Sequence, residues 1–218
     1  MMTMFEHLSA GERLGELLFG LIMTLTFTLG AGIAVGDSPS ASASLLYATL
    51  GCNVAWGVID GALLMLGRMF DRGRLARLGD AIAAAAEERD ALDVVAQELD
   101  DMLVPVTSER HRLALYRDVV ANVRAGPRRQ PRLDRKDFVA ALAVFVLVFG
   151  ATLPAVLPYL VIRDAWVAQR VSNALLITVL FFVGYRWARY TSFRPLVAAF
   201  VVVGLAVALV SLAIALGG

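Results

Sequence analysis

The sequence is poor in the residues that metalloenzymes and disulfide-linked proteins use. It contains one cysteine, Cys52, and two histidines, His7 and His111. A single cysteine excludes an intrachain disulfide, and so few Cys and His residues exclude a zinc site built from them. The sequence also lacks an HExxH motif and a Ser/His arrangement, and both histidines lie outside the apolar runs. We therefore expect that the protein is not an enzyme.

Charged residues are scarce as well. They make up 18% of the chain, whereas a soluble domain carries roughly 25%. Hydrophobic residues reach 59%, and the mean hydropathy is +0.70. This composition indicates an integral membrane protein. With 218 residues the chain has room for several spans and one small polar insertion, but not for a large extramembrane domain.

Five apolar segments approach the roughly 20 residues that a helix needs to cross the hydrocarbon core. They cover about residues 17–35, 45–66, 138–162, 171–187 and 196–216. The predicted fold is all-α, with five transmembrane helices and a cytoplasmic helical insertion between the second and the third. The predicted domains are residues 1–67 with helices 1 and 2, residues 68–136 as the insertion, and residues 137–218 with helices 3 to 5. Glu12 and Glu16 precede the first run, so we expect a retained span rather than a cleaved signal peptide.

Two prolines mark the third span. Pro154 and Pro158 each lack a backbone donor and clash with the preceding turn, which predicts a kink or an unwound turn near the end of that helix. The alternative is that the helix simply ends at the prolines.

The basic residues predict the orientation of the chain. Fourteen of the 20 Lys and Arg residues lie between Arg68 and Lys136. The positive-inside tendency then predicts a cytoplasmic N-terminus and an external C-terminus. The basic run 128–136 is expected to lie against anionic lipid headgroups. Lys136 is the only lysine, and this Arg bias with the high alanine content suggests a bacterial inner (plasma) membrane.

The insertion carries two amphipathic patterns. Residues 80–103 contain no Gly or Pro and predict one helix, and residues 108–123 predict a second. The apolar stripe of the first helix is formed by Ala81, Ala85, Leu92, Val95, Leu99 and Met102. Two such helices cannot bury both apolar faces alone, so they should pack on each other, on the membrane or on a second copy of the chain. We favour dimerisation.

The insertion also carries candidate metal ligands. Acids three and four residues apart project to one side of a helix, and their oxygens suit a hard divalent cation. The candidates are Glu87, Asp90, Glu98, Asp101 and Glu109. The alternative is a solvated acidic face that Arg89, Arg110 and Arg112 neutralise.

Asp60 is the most informative residue within a span, because an ionisable side chain there is costly and by default faces a cavity, a partner or a substrate path. Asn53, Trp56 and Asp60 share one helix face, and Asp60 lies roughly 12 Å from Arg68 along the axis. In an antiparallel hairpin of the first two helices, Gly20 should lie opposite Asp60.

The first helix offers further candidates for an ion pathway. Glu12 and Glu16 are one turn apart at its start, and Glu16 is expected about one turn nearer the cytoplasm than Asp60. Met23 would supply a thioether above them, and oxygen with thioether donors suits a first-row divalent metal. The alternative is that Asp60 and Asn53 only hydrogen-bond within a helix pair, while the threonines bond to their own helix.

The layout of two spans, an acidic helical insertion and three more spans resembles the vacuolar iron transporter family. The sequence FGATLPAVLPYL at residues 149–160 looks like the proline-containing third helix of that family, and the last span is similarly glycine-bearing. ERLGELLFGLI at residues 12–22 and GCNVAWGVIDG at residues 51–61 look like a bacterial subgroup. The resemblance implies a homodimer that exports Fe²⁺ or Mn²⁺ from the cytosol against protons, with the insertion gathering metal. The chain differs from the family in carrying its Asp-Gly pair in the second helix.

Two functions follow as hypotheses. The first is a proton-coupled transporter of a divalent cation, with the metal as substrate, no tightly bound cofactor and no nucleic-acid partner. The second is a non-transporting membrane scaffold or sensor whose cytoplasmic helices bind a partner or lipid.

Overall fold

The computed structural model describes residues 4–34, 39–127 and 130–216, and in these ranges the regular structure is entirely helical. The α-helices are α1 (Ala10–Ala34), α2 (Pro39–Ala84), α3 (Glu88–Leu103), α4 (Glu109–Ala125), α5 (Arg135–Gly150), α6 (Leu153–Val161), α7 (Ala165–Trp187) and α8 (Pro195–Ala215). Short 3-10 turns cover Met4–His7 and Ala188–Tyr190. The predicted all-α class is confirmed.

Within the described ranges, five helical segments are long and apolar enough to cross a membrane, as the sequence predicted. They are Ala10–Gly30, Leu46–Ala84, Arg135–Val161, Ala165–Tyr190 and Pro195–Ala215. The second is the exception in length, because α2 has 46 residues and is therefore roughly 69 Å long, more than twice the hydrocarbon thickness.

The chain divides into two compact units. We call Met1–Leu64 with Arg135–Gly218 the span unit, and Met65–Asp134 the polar unit. The core of the span unit is built around α7, whose Leu176 and Leu180 are fully buried with Leu21 and Leu25 of α1. A second cluster lies along α5 and includes Val144 and Val148.

The third span is interrupted. α5 ends at Gly150, and α6 begins at Leu153 with Pro154 in its first turn and Pro158 buried in its interior. The predicted kink is confirmed, since Pro154 has no N–H with which to continue the α5 hydrogen-bond ladder. The alternative is wrong, because the chain remains helical beyond both prolines to Val161.

The polar unit corrects the predicted helix over residues 80–103. α2 ends at Ala84 and α3 begins at Glu88, after extended backbone at Glu87. The apolar stripe is wrong at its ends, because Ala81 is exposed and Met102 is 68% exposed. The break resets the phase of the helix, so positions before and after it no longer share one face.

The core of the polar unit confirms that its two helices pack on each other. Ala91 and Val95 of α3 are buried against Tyr116 and Val120 of α4, together with Ile82. The predicted second helix is confirmed as α4, for which Ser108 is the N-cap.

Candidate ion site between α1, α2 and α5

Two glycines allow α2 to approach α5 closely. A Cβ on Gly57 would lie 3.0 Å from the Phe145 ring, and one on Gly61 would lie 3.0 Å from the Ala141 carbonyl oxygen. Gly57 and Gly61 form a GxxxG motif, which brings helix backbones together in membranes. The contact fixes the position of Asp60, the residue that precedes Gly61.

α5 also packs against α1, at Gly20. A Cβ there would lie 2.8 Å from the Ala151 Cβ and 2.9 Å from the Val148 carbonyl oxygen. The expectation that Gly20 lies opposite Asp60 is therefore wrong, since its nearest neighbours belong to the end of α5 and the turn that follows. Counting from the ends of two apolar runs could not show that α5 packs against both helices.

An aromatic contact gives the register of α1 and α2. The rings of Phe19 and Trp56 meet edge to face, with their centroids 5.5 Å apart. Since α2 follows α1 after a short connection, the two helices run in opposite directions. Glu16 precedes Phe19 by three residues and Asp60 follows Trp56 by four, so the two carboxylates lie level with each other. Glu16 lies within electrostatic range of both Asp60 and Glu12.

The polar groups of α2 on this side are incompletely satisfied. Asp60 is half-buried, and its Oδ2 is inaccessible and has no hydrogen-bond partner among the described residues. Asn53 is fully buried, and its amide nitrogen donates to the Thr49 carbonyl oxygen at 3.1 Å. The Asn53 Oδ1 likewise has no partner in the described part of the chain. The alternative, in which Asp60 hydrogen-bonds across a helix pair or joins a polar network with Asn53, gains no support from these groups, because the Asn53 donor bonds to its own helix and the Asp60 Oδ2 has no partner in the described part of the chain.

Glu12 has a structural partner that the sequence analysis overlooked. Its Oε2 accepts a hydrogen bond from the Ser9 backbone N–H at 2.6 Å, and the Ser9 Oγ accepts one from the Glu12 N–H at 3.1 Å. This reciprocal pair is a capping box at the start of α1, and the spacing Ser-x-x-Glu is its sequence signature. One oxygen of Glu12 is thereby assigned to the helix terminus.

Met23 lies in apolar surroundings. It lines a groove of about 280 Å³ together with Phe19, Ile22, Thr26 and Phe27 of α1 and Leu209 of α8. No carboxylate of the described residues lines this groove, so the structure does not place the thioether among the acids.

Thr24 and Thr26 of α1 bond within their own helix, as the alternative expectation stated, whereas the Thr28 hydroxyl also donates to the Asn173 Oδ1 of α7 at 2.7 Å. The Thr24 hydroxyl donates to the Gly20 carbonyl oxygen at 2.7 Å, and the Thr26 hydroxyl donates to that of Ile22 at 2.9 Å.

The acids of the polar unit are dispersed, and several have basic partners. Glu98 pairs with Arg74 at 2.6 Å, and Glu88 lies 3.7 Å from Arg117. Asp90, Asp101 and Glu109 are exposed, and Glu87 is the N-cap of α3. Within residues 4–34, 39–127 and 130–216, no three His, Cys, Asp or Glu side chains are grouped closely enough to hold a metal ion. That statement covers both the predicted ligands of the insertion and the three carboxylates near α1.

Asp100 forms the best-defined polar contact of this unit. It accepts a hydrogen bond from the Tyr116 hydroxyl at 2.6 Å and lies 3.6 Å from Arg112. Burial raises the pKa of Tyr116, and the hydrogen bond and negative charge of Asp100 raise it further.

The structure buries an acid that the sequence analysis did not single out. Asp137 is fully buried in the first turn of α5, directly after the basic run. An acid in this position is favoured by the positive end of the helix dipole. The sequence signal for this buried acid was its position directly before an apolar run.

Comparison with known proteins adds no assignment. No family model matches this chain, and no match is found among curated proteins. The functional inference therefore depends on the geometry around Glu16 and Asp60.

Proposed function

We propose that the protein is a membrane transporter of a divalent metal cation, Fe²⁺ or Mn²⁺, which it exports from the cytosol in exchange for protons. The observation that carries the proposal is the level pairing of Glu16 and Asp60 across α1 and α2, with an Asp60 oxygen that has no hydrogen-bond partner among the described residues. An acid inside an apolar span is costly to maintain and is a functional candidate by default.

The chemistry of this pair supports an exchange of metal for protons. Two carboxylates repel each other strongly where the dielectric constant is low, and either a cation or a proton relieves that repulsion. Metal ligands must be deprotonated, so a cation and protons compete for the same oxygens. Binding of one therefore favours release of the other, which is the requirement for coupled exchange.

The described conformation supports an ion-attracting position rather than a closed coordination site. Glu16 is within electrostatic range of both Glu12 and Asp60, but the three acids are not close enough to ligate one ion together. A cation that keeps part of its hydration shell fits such a site, because water then supplies the remaining ligands. Tighter ligation would need α1 and α2 to approach each other.

The surface of α2 supports a homodimer in the bilayer. Its candidate span is 17% buried, whereas the other four are 28% to 39% buried. Val58, Leu63 and Leu66 are 56% to 60% exposed. A second copy would cover this face and bring two Asp60 side chains into one assembly. We propose an inner-membrane location with a cytoplasmic N-terminus, because this orientation leaves most basic residues inside.

A specific observation also favours the second hypothesis, a scaffold or sensor. The pairing of Glu98 with Arg74 neutralises an acid that the first hypothesis assigns to metal collection. Asp100, on the same helix, is paired with Arg112. A polar unit used for partner binding would have this mixed-charge surface.

Transport by the purified protein in proteoliposomes distinguishes the two functions. Vesicles would carry a metal-sensitive dye and a pH-sensitive dye inside, with Mn²⁺ or Fe²⁺ added outside and Mg²⁺ as the control ion. The transporter hypothesis predicts that metal enters while protons leave, so the pH inside the vesicles rises. Protein-free vesicles should show neither change. Vesicles that hold folded protein but take up no metal would support the scaffold.

A further inference from the structure

α7 and α8 pack tightly near the turn that joins them. A Cβ on Gly184 would lie 2.9 Å from both the Ala199 Cα and the Val202 Cβ, so the two helices approach each other closely at this glycine. Between the two candidate spans the chain turns through Ala188–Tyr190 and reaches Pro195 at the start of α8. In a bilayer this connection lies at one membrane surface.

A groove of about 110 Å³ opens beside this turn. It is lined by Trp187, Thr191, Phe193, Ala198, Val201 and Val202. The lining is apolar except for the Thr191 hydroxyl, which accepts a hydrogen bond from the Phe193 N–H. Phe193 is 65% exposed, and Val201 is 60% exposed. An apolar groove with these exposed walls at the membrane surface can hold a segment of acyl chain.

Three arginines are close in sequence to the residues that line the groove. Arg186, Arg189 and Arg194 are exposed and alternate with residues of its lining. No Asp or Glu follows Asp164 in the chain. None of the three has a side-chain partner among the described residues, and Arg194 precedes the first turn of α8.

The arginine at the other end of α7 differs. The guanidinium of Arg170 stacks over the Trp166 ring, 4.1 Å from its centroid. A cation engaged with an aromatic face is partly satisfied within the protein. In the part of the chain that the structure describes, the arginines of the α7–α8 turn have no comparable contact.

We propose that the groove at the α7–α8 turn binds an anionic phospholipid, with an acyl chain in the groove and the phosphate on Arg186, Arg189 and Arg194. The guanidinium group matches phosphate oxygens in a two-pronged geometry and retains its charge at a membrane surface. The apolar lining selects a lipid over a soluble anion, because burying the acyl chain adds a hydrophobic contribution that inorganic phosphate lacks. The site is independent of Glu16 and Asp60.

Native mass spectrometry of the purified full-length protein tests the site. The detergent-solubilised protein would be titrated with phosphatidylglycerol and, separately, with phosphatidylcholine. The wild type should retain phosphatidylglycerol preferentially. The R189Q/R194Q variant should bind it on the order of 30-fold more weakly, since each arginine at an anionic surface contributes about five-fold. The matched control is R163Q/R170Q, which removes the same charge at the other end of α7 and should retain the preference.

A second variant probes the groove itself. Val201→Phe lies on an exposed wall and should fill the groove while leaving helix content and elution volume unchanged. It should weaken the binding of phosphatidylglycerol, and millimolar inorganic phosphate should not displace the lipid from the wild type. Equal losses in the two arginine pairs would show a general charge effect and overturn the proposal. Unchanged binding in Val201→Phe, or displacement by phosphate, would overturn it as well.

Discussion

Phe19 of α1 and Trp56 of α2 contact edge to face, and this contact sets Glu16 level with Asp60. The two rings lie about one helical turn from both acids, on the side of the acids that is farther from the start of α1. α5 packs against α1 at Gly20 and against α2 at Gly57 and Gly61. Contacts among three helices therefore fix the positions of the two carboxylates. The candidate site therefore depends on glycine contacts that contribute no chemistry themselves.

Replacement of Gly20 by alanine should destabilise the span unit. The new methyl group would lie 2.8 Å from the Ala151 Cβ and 2.9 Å from a carbonyl oxygen, and overpacking of this kind costs roughly 1–3 kcal/mol. Gly15→Ala is the matched control on the same helix, because nothing lies within 4 Å of its added Cβ. Thermal unfolding in detergent, followed by circular dichroism, should show a lower midpoint for Gly20→Ala alone. Equal midpoints would show that α1 does not approach α5 at this position.

Glu12 and Glu16 should behave differently when each is replaced by glutamine. Glutamine can still accept the hydrogen bond of the capping box, so Glu12→Gln should keep both stability and metal transport. Glu16→Gln removes a charge beside Asp60 and should strongly reduce transport. Ser9→Ala should lower helix stability by about 1 kcal/mol because α1 loses its cap.

The comparison requires metal flux and thermal stability to be measured on the same preparations. A loss of metal flux in Glu12→Gln with unchanged stability would assign Glu12 to the ion pathway, as the sequence predicted.

Tyr116→Phe should destabilise the polar unit in a pH-dependent way. The pKa of Tyr116 is raised, first by burial and then by Asp100, so folding favours the protonated hydroxyl. This stabilisation is present below the ordinary tyrosine pKa of about 10 and is lost as the pH rises through the folded-state pKa. The unfolding midpoint of the variant should lie below that of the wild type at neutral pH, and the difference should shrink above about pH 10. Tyr190→Phe, at a side chain that is 63% exposed, is the control. A difference that grows at alkaline pH would contradict the assigned contact.

Hydropathy and charge predicted the number of candidate spans and the interruption near Pro154, because both depend on local composition. The break between α2 and α3 was missed because residues 81–86 are nearly all alanine and contain no Gly or Pro. Intrinsic helix propensity there is high, and the packing of Ile82 against Ala91, Val95 and α4 overrides it. Such a tertiary contact leaves no mark in the local pattern.

Of the residues predicted for the ion pathway, the structure brings Glu16 within electrostatic range of Asp60 and leaves Met23 in an apolar groove, and the register of the helices was not predicted. Asp60 and Glu16 were identified because acids are rare in apolar runs, whereas the depth of Gly20 was estimated from the ends of the spans. A shift of a helix by one turn leaves the composition unchanged, and the contacts with α5 and between Phe19 and Trp56 determine the register. Two signals were present in the sequence, the GxxxG motif ending at Gly61 and the Ser9/Glu12 capping box, and both concern positioning rather than chemistry.

The most direct test is metal-driven proton movement in proteoliposomes that contain either Asp60→Asn or Asp93→Asn. The two substitutions are chemically identical, but Asp93 is exposed on α3. Both variants should elute as the wild type does. We expect Asp93→Asn to move protons in response to Mn²⁺ at the wild-type rate and Asp60→Asn to move none. Wild-type proton movement in Asp60→Asn would contradict the assignment of an ion pathway to this carboxylate.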